Sequence, residues 1–426
     1  MEKITELRNF LDSAHSVYHA VAGLVWDLEA AGYTCLSEGD VWELVPGGKY
    51  YLTRGGSALI AFRVPEGEPT GFLMSASHSD RPTFKVKENG ELAGTYIRLS
   101  VEKYGGMIMS TWLDRPLSLA GRVLVETPVG VESRLLDIDR DLLLIPSVAI
   151  HMNRKVNEGY AWNPAVDTLP LMGGKDSAGK LQELLEKTAG GKVLGHDLYL
   201  YVRQKSSLWG LSEEFLSAPA LDDLACAWGC TQGFLNAKDS RSLPVLCVFD
   251  SEEVGSSSVQ GAASCLLESV LGRICQALNL DKERMLSNAF MVSADNAHAI
   301  HPNHPEYADS QNAPVLGGGV VLKFNANQRY TTDGVSAAIF RKVCRKAEVP
   351  VQTYYNRADL PGGSTLGNIS LSHVSVPTAD IGLPQLAMHA SYETMAASDV
   401  TALMAAMTGY YGSTLTCQRD GSYILA

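Results

Sequence analysis

The sequence predicts an α/β protein in which a central, mostly parallel sheet is interrupted by an inserted β-rich domain. Three observations carry that prediction. Apolar, β-branched-rich runs alternate with helical patterns in two separated parts of the chain, as strands covered by helices on both faces require. The stretch between those parts holds short strand-like pieces broken by GG, TP and NP signals and has little helical periodicity. Acidic and histidine clusters follow directly on several apolar runs, where open α/β sheets place their sites.

Taken in order, the N-terminal MEKITELRNFLDSAHSVYHAV puts Ile4, Leu7, Phe10 and Leu11 on one face of an amphipathic helix, and it lacks the basic stretch, apolar core and cleavage site of a signal peptide. SALIAFRV (57–64) and GFLMSA (71–76) read as buried strands. From about 86 to 216, GRVLVET, LLLIPSVAI and LYLYVRQ mark the inserted β-rich domain, which leaves 1–85 and 217–426 as one discontinuous α/β unit. That unit resumes with the helix DLACAWGCTQGFLNA (223–237), the strand LPVLCVF (243–249) and the helix AASCLLESVLGRICQAL (262–278). The strands NAFMVSA (288–294) and VVLKFN (320–325) follow, then the helix GVSAAIFRKVCRKAE (334–348). A strand in HVSVPTADI (373–381) and the helix SDVTALMAAMTGYYGSTL (398–415) close the pattern.

Composition bounds the partners. The 426 residues are 46% hydrophobic and 19% charged, and 35 basic against 47 acidic side chains give a net charge of −12. No basic field is available for nucleic acid or an anionic membrane surface. No apolar run reaches the ~18 residues that span a bilayer. Eight cysteines are scattered, several of them inside apolar runs such as LPVLCVF, and none forms a CxxC pair. That usage points to buried thiols in a reducing cytoplasm.

The polar clusters carry the chemistry. His78 and Asp80 follow GFLMSA; Asp222 and Asp223 lie in PALDDL, just before a helix. Asp250, Glu252 and Glu253 follow LPVLCVF in FDSEEVGS, Asp295, His298 and His301 follow NAFMVSA, and His389 follows PTADIGLPQLAM. Carboxylates crowded at one strand end repel unless a solvated turn or a cation offsets them. Imidazole with carboxylate suits Zn²⁺, Co²⁺ or Mn²⁺ better than Mg²⁺ or Ca²⁺, and the absence of cysteine argues against a structural zinc site. One carboxylate can bridge two ions roughly 3.5–4 Å apart. Of two adjacent glutamates, one can ligate while its neighbour stays free to take a proton from water. Taken singly, each residue has an ordinary reading. Glu252 and Glu253 could form a solvated turn, His78 and His389 could pack in the core, and His298 and His301 could sit in a loop. Asp222 or Asp223 could cap a helix. Their joint placement at strand ends favours metal.

The ordered set SHSDRPTFKVK, TWLDRPLSLAGRV, IPSVAIHMNR, LDDL, FDSEEVGS, SADNAHAIHPNH, NANQRY and DIGLPQLAMHAS resembles the aspartyl aminopeptidases, from about residue 10 to the C-terminus. The resemblance implies a metalloaminopeptidase that removes N-terminal Asp or Glu from peptides at two divalent ions, Zn²⁺ ahead of Co²⁺ or Mn²⁺. It implies that His78 and Asp295 hold one ion, Glu253 and His389 the other, and that Asp222 bridges. Glu252 would be the general base, and Asp80 would orient His78. Lys323 and His298 or His301 match positions near a pocket for an acidic side chain, and His151 matches a residue that reaches a neighbouring subunit's site. The family fold is a proteolytic α/β domain interrupted by a β-rich dimerisation domain, assembled as a tetrahedral dodecamer.

The chain departs from the family pattern at Arg81, Asp223, Ser251 and Tyr392. Arg81, Asp223 and Tyr392 would reshape the pocket rim, which leaves neutral specificity open. An amide deacylase, or a catalytically silent scaffold of the same fold, are the other readings.

Overall fold

The computed structural model describes residues 2–360 and 362–426. Its centre is a nine-stranded sheet. From one edge the strands run Thr34–Cys35, Lys49–Arg54, Ala58–Arg63, Leu243–Phe249, Phe72–His78, Phe290–Ala294, Thr378–Gly382, Val320–Phe324 and Val351–Tyr355. The four strands from Leu243–Phe249 to Thr378–Gly382 are mutually parallel; antiparallel pairs flank them.

Strands covered on both faces read as continuous apolar runs, because alternate residues feed two cores. Along Leu243–Phe249, Leu246 and Val248 enter one cluster, and Leu243, Val245, Cys247 and Phe249 enter the other. The first face is covered by the helices Glu2–Leu11, Val17–Ala30, Leu221–Asn236, Gly334–Lys346 and Ala397–Tyr411. The second is covered by Leu266–Ala277, Lys282–Ser287 and Leu366–Ser370. Gly233 allows Leu221–Asn236 to approach Ala397–Tyr411 closely, since an added Cβ would stand 2.4 Å from that of Met407.

Between the two parts of this layer lies a six-stranded antiparallel sheet formed within residues 83–202, with its own core around Phe84, Trp112, Leu119 and Leu198. One element there escapes sequence periodicity. The helix Lys180–Ala189 rests on this sheet through Leu181, Leu185 and Ala189, too short a stripe to stand out among strand-like pieces. A third sheet joins distant short strands: Ser207–Trp209, Phe215–Ala218, Glu393–Ala396, Pro384–Leu386 and Ala297–His298. The boundary placed at 216 from sequence falls inside it. The strand expected over 373–381 begins only at Thr378, because the preceding residues turn after the Leu366–Ser370 helix.

Candidate metal centre

Parallel strands in register deliver their following residues to one edge. His78 pairs with Phe249, and Ala294 with Ile381, so His78, the 250–253 turn and Asp295 emerge side by side. The start of the Leu221–Asn236 helix and the loop carrying His389 close over the same edge. Ala220, Ser251 and His389 all sit at positive φ, of 57°, 64° and 66°. Such strained non-glycine backbone clusters at functional sites.

Asp222 lies at the middle. Its Oδ1 is 3.7 Å from His78 Nε2 and its Oδ2 is 3.6 Å from His389 Nε2. His389 Nε2 is also 3.4 Å from Glu253 Oε1. Donor atoms of His78, Asp222, Asp223 and Asp295 all lie within 4.8 Å of one another, as do those of Asp222, Glu253 and His389, and those of His78, Glu252 and Glu253. Buried Asp222 Oδ1, Asp223 Oδ1 and Glu253 Oε1 have no hydrogen-bond partner. A buried carboxylate oxygen left unpaired is costly, and a divalent cation satisfies it. The residues therefore fit metal.

Electrostatics agree. Burial, and then the Asp295, Asp80 and Asp222 carboxylates, push Glu252 up to about 8 against the pull of His78. Burial and neighbouring carboxylates also raise Glu253 and Asp223. Burial opposes ionisation of Asp222, yet His389 and His78 hold its carboxyl below the ordinary range. Burial would lower His78, but Asp222, Asp223 and Asp80 raise it well above its usual value. Like charges packed this densely lack a countercharge of matching size.

Asp80 organises one side of the crevice. Its carboxylate accepts the Glu252 and Glu253 backbone N–H groups, each at 3.1 Å, and the Tyr104 hydroxyl at 2.7 Å, and lies 3.3 Å from His78 Nδ1. Glu393 organises the other side. It accepts the Asp222 N–H at 3.0 Å and the His389 N–H at 2.8 Å, so one buried carboxylate positions two donor-bearing segments. Sequence reasoning missed Glu393. It stands in HASYET, four residues after His389, but its partners are two backbone N–H groups and, at 3.5 Å, the Gln385 amide, which no spacing reveals.

Other expected site residues lie differently. Lys323 is buried; its Nζ donates to the carbonyls of Asp295 at 2.6 Å and Asn296 at 3.2 Å and stands 3.7 Å from Asp295 Oδ1. His298 is exposed and faces Tyr354, with ring centroids 6.1 Å apart. His301 is exposed against His304, and His151 is exposed on a turn of the 83–202 region. Neither His151 nor His301 falls in the donor groups.

Asp223 caps no helix and shapes no rim. It is fully buried, and its Oδ2 accepts the His78 N–H at 3.1 Å. Arg81 donates to the carbonyls of Ala14 and His15 and lines a small pocket with Asp222 and Glu393. Tyr392 donates to the Lys205 carbonyl at 2.8 Å. Both tie chain segments together.

Residues 10–411 match the model of the family described as Aminopeptidase I zinc metalloprotease (M18). The protein named Probable M18 family aminopeptidase 2 of Clostridium novyi (strain NT) is 42% identical over 410 residues, 92% of this chain and 95% of its own. A structure titled as the Ape4 and Nbr1 complex is 34% identical with a TM-score of 0.93, covering 96% of this chain and 85% of that one. The S. cerevisiae mApe1 dodecamer is 27% identical with a TM-score of 0.85, covering 96% of each chain.

Proposed function

The chain belongs to the M18 family of zinc metalloproteases and is a metal-dependent aminopeptidase, a hydrolase of peptide bonds; on that premise we propose that it releases N-terminal Asp or Glu at a two-ion centre. His78 and Asp295 would hold one ion, Glu253 and His389 the other, and Asp222 would lie between them. The observation that carries this reading is Asp222, whose two oxygens each face a different imidazole.

When bound, the ions supply Lewis acidity that polarises the scissile carbonyl and brings the pKa of water towards ~7. The chain does the rest. Glu252 takes a proton from the attacking water and returns it to the leaving amine, a role that its place among the donor atoms of His78 and Glu253 supports. Asp80 holds Glu252 and Glu253 in place through their N–H groups and orients His78. Lys323 contributes a buried positive charge behind Asp295, and His298 and His301 line the approach of an acidic side chain. His151 reaches a neighbouring subunit's crevice.

A second reading, neutral specificity at the same centre, is favoured by Lys323 itself, because its ammonium is already engaged by two carbonyls. Peptides headed by Asp, Glu, Leu, Ala or Lys, incubated with and without a chelator, separate the two. Chelator-sensitive release of Asp and Glu alone supports the first reading. Chelator-sensitive release of Leu or Ala overturns it and keeps the two-ion centre.

Assembly belongs to the same proposal. Residues 86–216 would form the dimerisation domain of a tetrahedral dodecamer, consistent with Val131 and Leu135 lying exposed on that sheet and Val129 on its adjoining turn. A light-scattering mass near one or two times the 45.9 kDa chain overturns it. Among the described residues no helix is long and apolar enough to cross a membrane. The cytoplasm is the proposed compartment, supported by buried thiols at Cys226, Cys230, Cys247, Cys275 and Cys344.

A further inference from the structure

We propose that Cys265, Glu268 and His373 form a third metal site, outside the catalytic crevice, that takes zinc or another thiophilic divalent ion. Cys265 immediately precedes the Leu266–Ala277 helix and Glu268 stands three residues on, so both lie on one side of its first turn. His373 arrives from a separate segment, the turn after the Leu366–Ser370 helix. One donor atom from each of the three lies within 4.8 Å of the other two. Among the described residues no other cysteine falls in such a donor group.

The spacing suits a tetrahedral ion. Bonds of ~2.3 Å to sulfur and ~2.0–2.1 Å to nitrogen put those two atoms roughly 3.6 Å apart. Cys265 Sγ and His373 Nδ1 are 4.0 Å apart, so a small rotation of two exposed or half-buried side chains closes the difference. Glu268 Oε1 accepts Lys282 Nζ at 3.3 Å, which leaves Oε2 for a metal. The nearby cation Arg54 is already paired with Glu38 through both carboxylate oxygens. Sulfur, imidazole and one carboxylate leave a fourth position for water, and a thiolate selects zinc over Mg²⁺ or Ca²⁺.

The site braces rather than catalyses. It joins the Leu266–Ala277 helix to the turn that leads into the Thr378–Gly382 strand, whose parallel neighbour Phe290–Ala294 delivers Asp295. It stands independently of the proposed function, because the crevice donors include no sulfur.

The test is to load the fully reduced, full-length protein with Co²⁺ and record its absorption. A thiolate-to-cobalt charge-transfer band in the near ultraviolet is expected from the wild type. The band should vanish in Cys265→Ser, weaken in His373→Ala, and persist in Cys35→Ser and Cys417→Ser. Metal analysis of zinc-loaded Cys265→Ser should find one ion fewer per chain with peptide turnover unchanged. No band from reduced wild-type protein, or a band that survives Cys265→Ser, overturns the proposal.

Discussion

Glu252 and Glu253 are neighbours in sequence, yet the proposed function gives them different work. Glu253 faces His389 at 3.4 Å, whereas Glu252 belongs only to the donor group shared with His78. Glu252→Gln should keep metal content and lower kcat by about 10²–10⁴-fold, the usual worth of a positioned proton carrier. Metal analysis beside peptide turnover checks it, and retained turnover would reassign the base. Glu393 predicts the opposite split. Each of its carboxylate oxygens accepts a backbone N–H, so Glu393→Gln turns one acceptor into a donor facing another donor. Metal affinity should fall about 10–100-fold, with turnover largely restored at saturating zinc. A lost kcat with an unmoved zinc titration would make Glu393 something other than a positioning residue. At this scale His78, Asp222, Glu253, Asp295 and His389 were legible, because each sits where an apolar run stops or a helix starts. Glu393 was not, since it joins the His389 N–H to that of Asp222, 171 residues away in sequence. Asp223 stood among the polar clusters, but its bond to the His78 N–H, 145 residues away, did not show.

Elements tell a similar story through packing. LPVLCVF reads as a strand because both of its faces are buried, and Leu243–Phe249 matches it residue for residue. Val351–Tyr355 escaped notice as an edge strand with mostly half-buried residues and little apolar continuity. The helices offer a paired prediction. Gly233 and Gly272 both lie inside helices, where Gly→Ala ordinarily stabilises by about 0.5–1 kcal/mol. Beside Gly272 an added Cβ meets nothing within 4 Å, but at Gly233 it would lie 2.4 Å from Met407 Cβ and 3.0 Å from the Met407 backbone carbon. Backbone cannot swing aside as a side-chain tip can, so overpacking of about 1–3 kcal/mol should win. Gly272→Ala should raise the denaturant midpoint and Gly233→Ala should lower it. Matching signs would mean that the two helices are not in close contact in solution.

For the whole molecule, the central sheet was legible and the third sheet was not, since strands of two to four residues from 207–218, 297–298 and 384–396 carry no period long enough to read. That third sheet nonetheless carries Glu393 and helps to shut the crevice, so site and fold share one energy. Each ion bound at the proposed centre would add stability to the folded state, about 4 kcal/mol where free zinc exceeds Kd by ~1,000-fold. Without the ions, burial first and neighbouring carboxylates second hold Glu253 and Asp223 above their ordinary values. Chelation should therefore lower Tm by several degrees, and zinc should restore it. Glu253→Gln separates repulsion from ligation. The substitution removes a carboxylate that is costly to ionise, so the chelated variant should melt above the chelated wild type at neutral pH. It also removes a donor, so zinc should raise its Tm less. Calorimetry of both proteins, with zinc and with chelator, reads all four values. If the chelated variant melted below the chelated wild type, carboxylate repulsion would not be what the ions relieve.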